Sequence, residues 1–253
     1  MRYFLHIGYD GSNYRGWQYQ ADTPSVQETI EKKLHAIFKT EVAVVGCGRT
    51  DAGVHASQYM LHITIETPFD FDLKFRLNKH LPNDIVVHDL FEMERKQHAR
   101  FDATSRTYDY FIHLRKDPFL SKYSSFYELE GLDFKTMKKA AALISLYTDF
   151  KAVCKQPDLH KTTICKVTYA QLYVDTSQQR LRFTITANRF LRGMVRLLVA
   201  YLLKIGTGEM TIVEFEQVLG TQLMTINKQP AFPNGLYLSK VEYPYLNVTA
   251  QSY

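Results

Sequence analysis

Hydrophobic and polar positions recur along the chain in an order that predicts alternating strands and helices. Arg2–Tyr9 is a short run rich in Tyr, Phe, Leu and Ile that reads as a strand. A glycine-rich turn follows, and Thr23-Pro24-Ser25 opens a helix: Ser25 and Glu28 have capping-box spacing, and Val26, Ile30 and Leu34 recur every four residues. Residues 42–45 read as a strand stopping at Gly46, and 59–66 as another in which Tyr59, Leu61, Ile63 and Ile65 alternate with the rest. Asp70 or Asp72 caps a helix carrying Leu73, Leu77 and Leu81, closed by Pro82. Residues 85–91 are again strand-like, so this part of the chain reads β-α-β-β-α-β.

The remainder repeats that order with longer elements. Residues 106–114 read as a strand and 133–147 as a helix with Met137, Ala141 and Ile144 on one face. Residues 163–174 and Arg180–Ala187 read as strands joined by a polar turn at Asp175-Thr176-Ser177. Asn188 is placed to cap a long helix to Ile205. Thr211 and Glu214 form a second capping box on a short helix ending before Gly220, and 236–243 is the last strand. The expected fold is α+β, with two ferredoxin-like, RRM-like β-α-β-β-α-β halves at residues 1–103 and 104–253. That unit hosts many functions, so activity must be argued from particular side chains.

Composition narrows the class. With 253 residues, 45% hydrophobic and 13% aromatic, the chain can bury a real core and is not disordered. Three cysteines, Cys47, Cys154 and Cys165, are too few for a disulfide scaffold and fit a reducing compartment. The opening MRYFLHIGYDGS has no sustained apolar run, and no signal peptide is expected. Residues 190–205 approach the length of a short membrane span but include Arg192, Arg196 and Lys204, which predicts a buried helix instead. The net charge of +5 is uneven: residues 1–100 carry 12 Lys/Arg against 13 Asp/Glu, whereas 101–253 carry 19 against 13. Within 151–196, nine basic residues face only Asp158 and Asp175, an asymmetry that points toward a polyanionic partner.

Few short motifs carry chemistry. Gly46-Cys47-Gly48-Arg49-Thr50-Asp51 begins like a dinucleotide loop but puts Asp51 where the third glycine belongs, and no P-loop stretch exists. Cys154, His160 and Cys165 could meet at zinc, yet no paired Cys-x-x-Cys accompanies them, and buried thiols are the plainer reading. Between Gly46 and His55, three glycines allow a tight turn that would present Arg49 and Asp51 together; the alternative is an ordinary β-turn. Tyr108 and Tyr110 share one face of a strand, where exposed rings would stack on bases and buried ones would fill the core. Tyr110, flanked by Phe111 and Ile112, suits the core, and no RNP1-like stretch is present. Helical steps align Arg189, Arg192 and Arg196 on one face, either as a snorkelling solvent edge or as a line of phosphate or carboxylate ligands.

Taken together, the segments resemble the A class of tRNA pseudouridine synthases along nearly the whole chain. The matching residues include Tyr9-Asp10-Gly11-Ser12, Gly16-Trp17-Gln18, Ser25-Val26-Gln27-Glu28, Leu81-Pro82 with Asp84-Ile85, and His98-Ala99-Arg100-Phe101 with Ala103-Thr104. They continue through Asn188-Arg189-Phe190-Leu191-Arg192, Met194-Val195-Arg196 and Gly235-Leu236-Tyr237-Leu238. The run Gly48-Arg49-Thr50-Asp51-Ala52-Gly53-Val54-His55 is highly specific to the class.

The resemblance implies isomerisation of uridine to pseudouridine at nucleotides 38, 39 and 40 of the anticodon stem and loop of tRNAs. It also implies no metal and no organic cofactor, and a cytoplasmic homodimer, with no membrane association, whose tRNA spans both subunits. The fold of the class joins the antiparallel-rich sheets of the two halves around a central active-site cleft. Carried over by position, Asp51 is the essential carboxylate or nucleophile, and Arg196 its ion-pair partner. Tyr108 stacks on the target base and is a candidate general base, and Arg49 assists base flipping. Arg189 and Arg192 are expected substrate contacts, and Leu236 or Leu238 is expected near the apolar floor of the site. After His55 the class usually has a Gly-Gln pair; here Ser57-Gln58-Tyr59 stands instead, so the support behind the loop is expected to be built differently.

Two readings from other classes compete. A non-catalytic protein with tandem RNA-binding modules would explain the basic second half but not a glycine-braced Arg49–Asp51 loop. A small-molecule enzyme on the same scaffold would need a cofactor motif, which the sequence lacks.

Overall fold

A computed structural model describes residues 1–221 and 229–248 of the chain. Two compact units emerge, Met1–Thr104 together with the residues from Tyr237 onward, and Ser105–Leu236.

The first unit contains β1 (Arg2–Tyr9), α1 (Val26–Phe38), β2 (Val45–Gly46), β3 (His55–Thr64), α2 (Leu73–His80) and β4 (Ile85–Met93). Its strands pair antiparallel in the order β4-β1-β3-β2, the arrangement of the split β-α-β-β-α-β unit. The helix starts follow from the sequence. Ser25 accepts the N–H of Glu28 at 3.2 Å, and Val26, Ile30 and Leu34 are buried. The Glu28 carboxylate turns to Lys32, 2.6 Å away. Asp72 caps α2 by accepting the N–H of Phe75 at 2.9 Å.

Two strand boundaries differ from the expected ones. β2 holds only Val45 and Gly46, and β3 begins at His55 instead of Tyr59. The stretch His55-Ala56-Ser57-Gln58 lacks apolar alternation, and pairing partners far off in sequence make it a strand.

The second unit contains β5 (Ser105–His113), β6 (Ser125–Phe126), α3 (Phe134–Leu143), β7 (Val167–Val174), β8 (Arg180–Ala187), α4 (Met194–Gly206) and α5 (Ile212–Thr221). β8 lies between β5 and β7, antiparallel to both, and β6 adds to β5 at Ile112. Asp133 caps α3 through the N–H of Thr136 at 2.9 Å, and a single 3-10 turn, Ile144–Leu146, continues the helix. β7 begins at Val167 instead of residue 163. The preceding residues pair with 148–150 instead: Cys165 N–H donates to Thr148 O at 2.8 Å, and Phe150 N–H to Thr163 O at 3.1 Å. The Thr211–Glu214 box is reciprocal, with bonds of 2.7 and 3.2 Å, and α5 continues through Gly220. All three cysteines are buried.

The long helix departs most from expectation. It begins at Met194, after Gly193 at φ 72°, and ten of its 13 residues are buried. Asn188 does not cap it, because its side-chain oxygen takes the N–H of Lys166 at 2.8 Å. A left-handed Gly193 breaks the helical path that the spacing of Arg189, Arg192 and Arg196 suggested. No helix among the described residues is long and apolar enough to cross a membrane.

The last strand, β9 (Leu236–Glu242), returns to the first unit after Leu236. Tyr237 and Leu238 pair in parallel with His55 and Ala56 of β3. The buried Gln58 secures the join: its side-chain oxygen accepts Val241 N–H at 2.7 Å, and its amide nitrogen donates to Val248 O at 3.4 Å. Chain order alone places this strand in the half 104–253; from Tyr237 onward it belongs to the first compact unit.

Candidate active site

Asp51 sits on the loop between β2 and β3. β2 leaves the edge of β3 after pairing Val45 with His62 and Gly46 with Leu61, and β9 takes up that strand at His55 and Ala56. The loop between is pinned along its length by the end of β1, by the segment that follows it and by Tyr59 of β3. Thr50 carries two of the pins: its carbonyl accepts Trp17 N–H at 3.2 Å, and its buried hydroxyl lies 2.9 Å from the Tyr9 hydroxyl. Gly53 N–H donates to Tyr14 O at 3.2 Å, and Tyr59 O–H to Gly48 O at 2.6 Å. Within the loop, Val54 N–H closes a turn on Asp51 O at 3.2 Å, with Gly53 at φ 73°. The Asp51 segment is therefore a β-turn, and one whose flanks are fixed from outside.

Close packing explains why the clamp is glycine-rich. Gly16 has φ 99°, and a Cβ there would stand 2.5 Å from Thr50 O. A Cβ on Gly11 would meet Val54 O at 2.0 Å. Trp17 and Tyr59 stack at 4.0 Å beneath Gly46. The clamp is itself anchored by Asp84, whose carboxylate accepts Tyr14 O–H at 2.6 Å and the Asn13 amide at 3.2 Å. Burial, followed by the Asp84 carboxylate, pushes the Tyr14 phenol well above its ordinary value, so it remains a donor.

His55 closes the loop. It is buried, its Nδ1 accepts Gly11 N–H at 3.1 Å and faces the Asp10 carboxylate at 3.1 Å, and its ring stacks on Tyr237 at 4.6 Å. On this loop Arg49 is exposed and Asp51 half-buried. Leu238, on β9, is buried.

The remaining residues of the expected site belong to the second unit. Tyr108 is half-buried on β5 opposite Ile185, with its ring edge-on to Phe190 at 5.0 Å and 85°. Tyr110 is core, as its neighbours suggested, with its hydroxyl 2.8 Å from both Ser125 Oγ and Phe232 O.

The three arginines do not form one helical line. Arg189 and Arg192 precede α4 and Arg196 lies in its first turn. Arg189 stands near Cys165: burial pushes that thiol up to about 11 while the guanidinium pulls the other way. Arg192 hydrogen-bonds Gln156 through its side chain and accepts Lys155 N–H on its carbonyl. Arg196 is half-buried; its Nε donates to Ala231 O at 2.7 Å, and Ala231 N–H returns a bond to Arg196 O at 3.0 Å. Leu236 is buried at the end of this unit.

Sequence reasoning found the loop and missed its clamp. Tyr9, Gly16, Trp17, Thr50 and Tyr59 hold Asp51 in place without being chemical themselves. The Tyr9-Asp10-Gly11 and Gly16-Trp17 segments were visible as matches to a family, but nothing local in them points to a loop some forty residues away, at a separation of 41 for Tyr9 and Thr50.

A family model described as tRNA pseudouridine synthase matches residues 147–244. The chain is 41% identical to tRNA pseudouridine synthase A of Porphyromonas gingivalis, covering 96% of this chain and 97% of that protein. It is 40% identical to the protein of the same name from Bacteroides fragilis, with 96% of each covered. For the Hydrogenobaculum protein of that name the identity is 34%, over 95% of this chain and 99% of the relative.

Proposed function

The chain belongs to the tRNA pseudouridine synthase family, and from that membership we propose that it converts uridine to pseudouridine at nucleotides 38, 39 and 40 in the anticodon stem and loop of tRNAs. It is an isomerase acting on tRNA; the observation that carries this is the 41% identity along 96% of the chain to an enzyme of that name. The pinned Asp51 loop supports the assignment of the reacting carboxylate.

The reaction breaks the bond from uracil N1 to ribose C1′ and forms one from C5 to the same carbon. The base gives up its C5 proton and gains one on N1, so no atoms are lost overall. Breaking the first bond builds positive charge on the sugar, and Asp51 is proposed to meet it by stabilising the charge, attacking C1′ or removing a 2′-proton. Each route demands a carboxylate that does not drift, which the clamp on Thr50 and Gly53 provides.

On the same reading Tyr108 stacks on the uracil while it is detached and is the candidate base for the C5 proton. Arg196 is the cation paired with Asp51, Arg49 assists extrusion of the nucleotide, and Leu236 and Leu238 supply apolar walls. Arg189 and Arg192 are proposed as phosphate contacts. Extruding a stacked nucleotide costs a few kcal/mol, offset by basic side chains on the phosphates. The enzyme is proposed to act in the cytoplasm as a homodimer, which sedimentation tests.

To test the function, unmodified tRNA is incubated with wild-type protein and with Asp51→Asn, and pseudouridine is mapped by chemical probing and reverse transcription. Wild type is expected to mark positions 38 to 40, and Asp51→Asn to bind tRNA without marking it. Binding without any pseudouridine in the wild-type reaction would overturn the enzyme reading, and marks confined to other nucleotides would overturn the positions.

A further inference from the structure

We propose that Phe101 is a preorganised stacking platform for an unpaired nucleobase of the tRNA substrate, outside the residues assigned to the reaction above. The proposal rests on the reading of this chain as a tRNA enzyme.

Phe101 is 76% exposed. A single exposed apolar side chain is ordinary on a protein surface. What sets this one apart is how firmly it is held. The five residues from His98 to Asp102 fold into a knot in which the Asp102 carboxylate accepts His98 N–H at 2.8 Å and Tyr245 O–H at 2.8 Å. His98 Nδ1 accepts the N–H groups of Arg100 at 3.1 Å and of Phe101 at 3.3 Å. From below, Tyr243 O–H donates to Ala99 O at 2.5 Å, and Ala99 N–H donates to the buried His62 at 3.1 Å. Every residue of the knot is thereby tied to a neighbour or to the core.

The ring of Phe101 lies over the His98 imidazole with centroids 4.3 Å apart and planes 30° from parallel. The His98 imidazole backs the ring, and with three quarters of the residue exposed most of the ring surface is open to solvent, which is half of an aromatic sandwich. Two cations lie nearby. The Arg100 guanidinium sits over the ring, 5.9 Å from its centre, and Arg2 reaches Gln97 O at 2.6 Å. A flat ring with a guanidinium beside it suits a nucleotide, whose base stacks while its phosphate meets the cation. A protein partner would call for a contiguous apolar patch, and the residues beside Phe101 here are His98, Arg100 and Asp102.

The test uses the full-length protein, unmodified tRNA, and Phe101→Ala and Phe101→Trp variants. Removing a stacking ring is expected to raise Kd and KM for tRNA roughly 5- to 100-fold, with kcat changed less than about twofold, and Phe101→Trp is expected to restore both. The one natural tryptophan, Trp17, is buried, so the added indole of Phe101→Trp gives an emission signal that stacking on a base would quench.

Unchanged tRNA affinity in Phe101→Ala would overturn the proposal. So would a loss that Phe101→Trp does not rescue, or a change only in sedimentation, which would assign the ring to a second copy of the chain. Wild-type protein that binds tRNA but forms no pseudouridine would refute the enzymatic reading instead, leaving the Phe101 comparison intact.

Discussion

Gly16→Ala tests whether the clamp fixes Asp51. The added Cβ would stand 2.5 Å from Thr50 O, 3.2 Å from the Asp51 carbonyl carbon and 3.3 Å from Ala52 N, where ordinary contact begins at 3.4 Å. All three neighbours are backbone atoms, so no side-chain rotation relieves the clash. The loop must retreat by about 0.9 Å at Thr50, and a misplacement near 1 Å costs about 100-fold in rate. The φ of 99° adds roughly 1–2 kcal/mol for an L-residue, and overpacking adds about 1–3 kcal/mol.

Gly48 is the control within the same loop. A Cβ there meets nothing within 4 Å, and its φ is outside the positive region. The assay is steady-state pseudouridine formation on unmodified tRNA, with urea unfolding of each variant in parallel. Gly16→Ala is expected to lose about 100-fold in kcat with KM within a few fold, while Gly48→Ala stays near wild type. Wild-type kcat in Gly16→Ala, or equal damage in Gly48→Ala, would refute the clamp.

Other expectations address charge and pH. Burial pulls the buried His62 down to about 4 from 6.5, so the unfolded chain takes up a proton in that window and the folded one does not. Its contribution is whole above pH 6.5 and is lost as pH falls toward about 4, a change of up to about 3 kcal/mol that His62→Asn should flatten in urea titrations across that range. Replacing the exposed Lys155, Lys161 and Lys166 with Ala should weaken tRNA binding and reduce the slope of log K against log salt by roughly 0.7–0.9 for each phosphate no longer neutralised; an unaltered slope would remove them from the interface. Arg196→Ala should lower kcat strongly, and an unchanged rate would remove Arg196 from the reaction.

Elements with caps and clean periodicity were legible in the sequence. Ser25, Asp72, Asp133 and Thr211 mark helix starts through bonds to residues three positions on, so the signal is local. The start of β3 was not legible, because Ala56 gains its strand character from Tyr9 and Leu238. The arginine line failed for a different reason. Apolar spacing runs on through Phe190 and Leu191, but the left-handed Gly193 resets the helical phase before Arg196. In the site, the glycines of the Asp51 loop revealed a special turn, whereas the Tyr9–Thr50 contact joins residues that carry no shared pattern.

The return of β9 has a consequence for synthesis on the ribosome. β1 through β4 can assemble as soon as the first hundred or so residues emerge, but Gln58 waits for Val241, 183 residues later, to donate to its side-chain oxygen. At about 5–20 residues per second, that interval is roughly 10–40 s. During it, the edge of β3 at His55 and Ala56 has no β9 beside it. The half of the protein made first is therefore completed last, and a truncated chain would retain the Asp51 loop while losing the strand that backs its final residue.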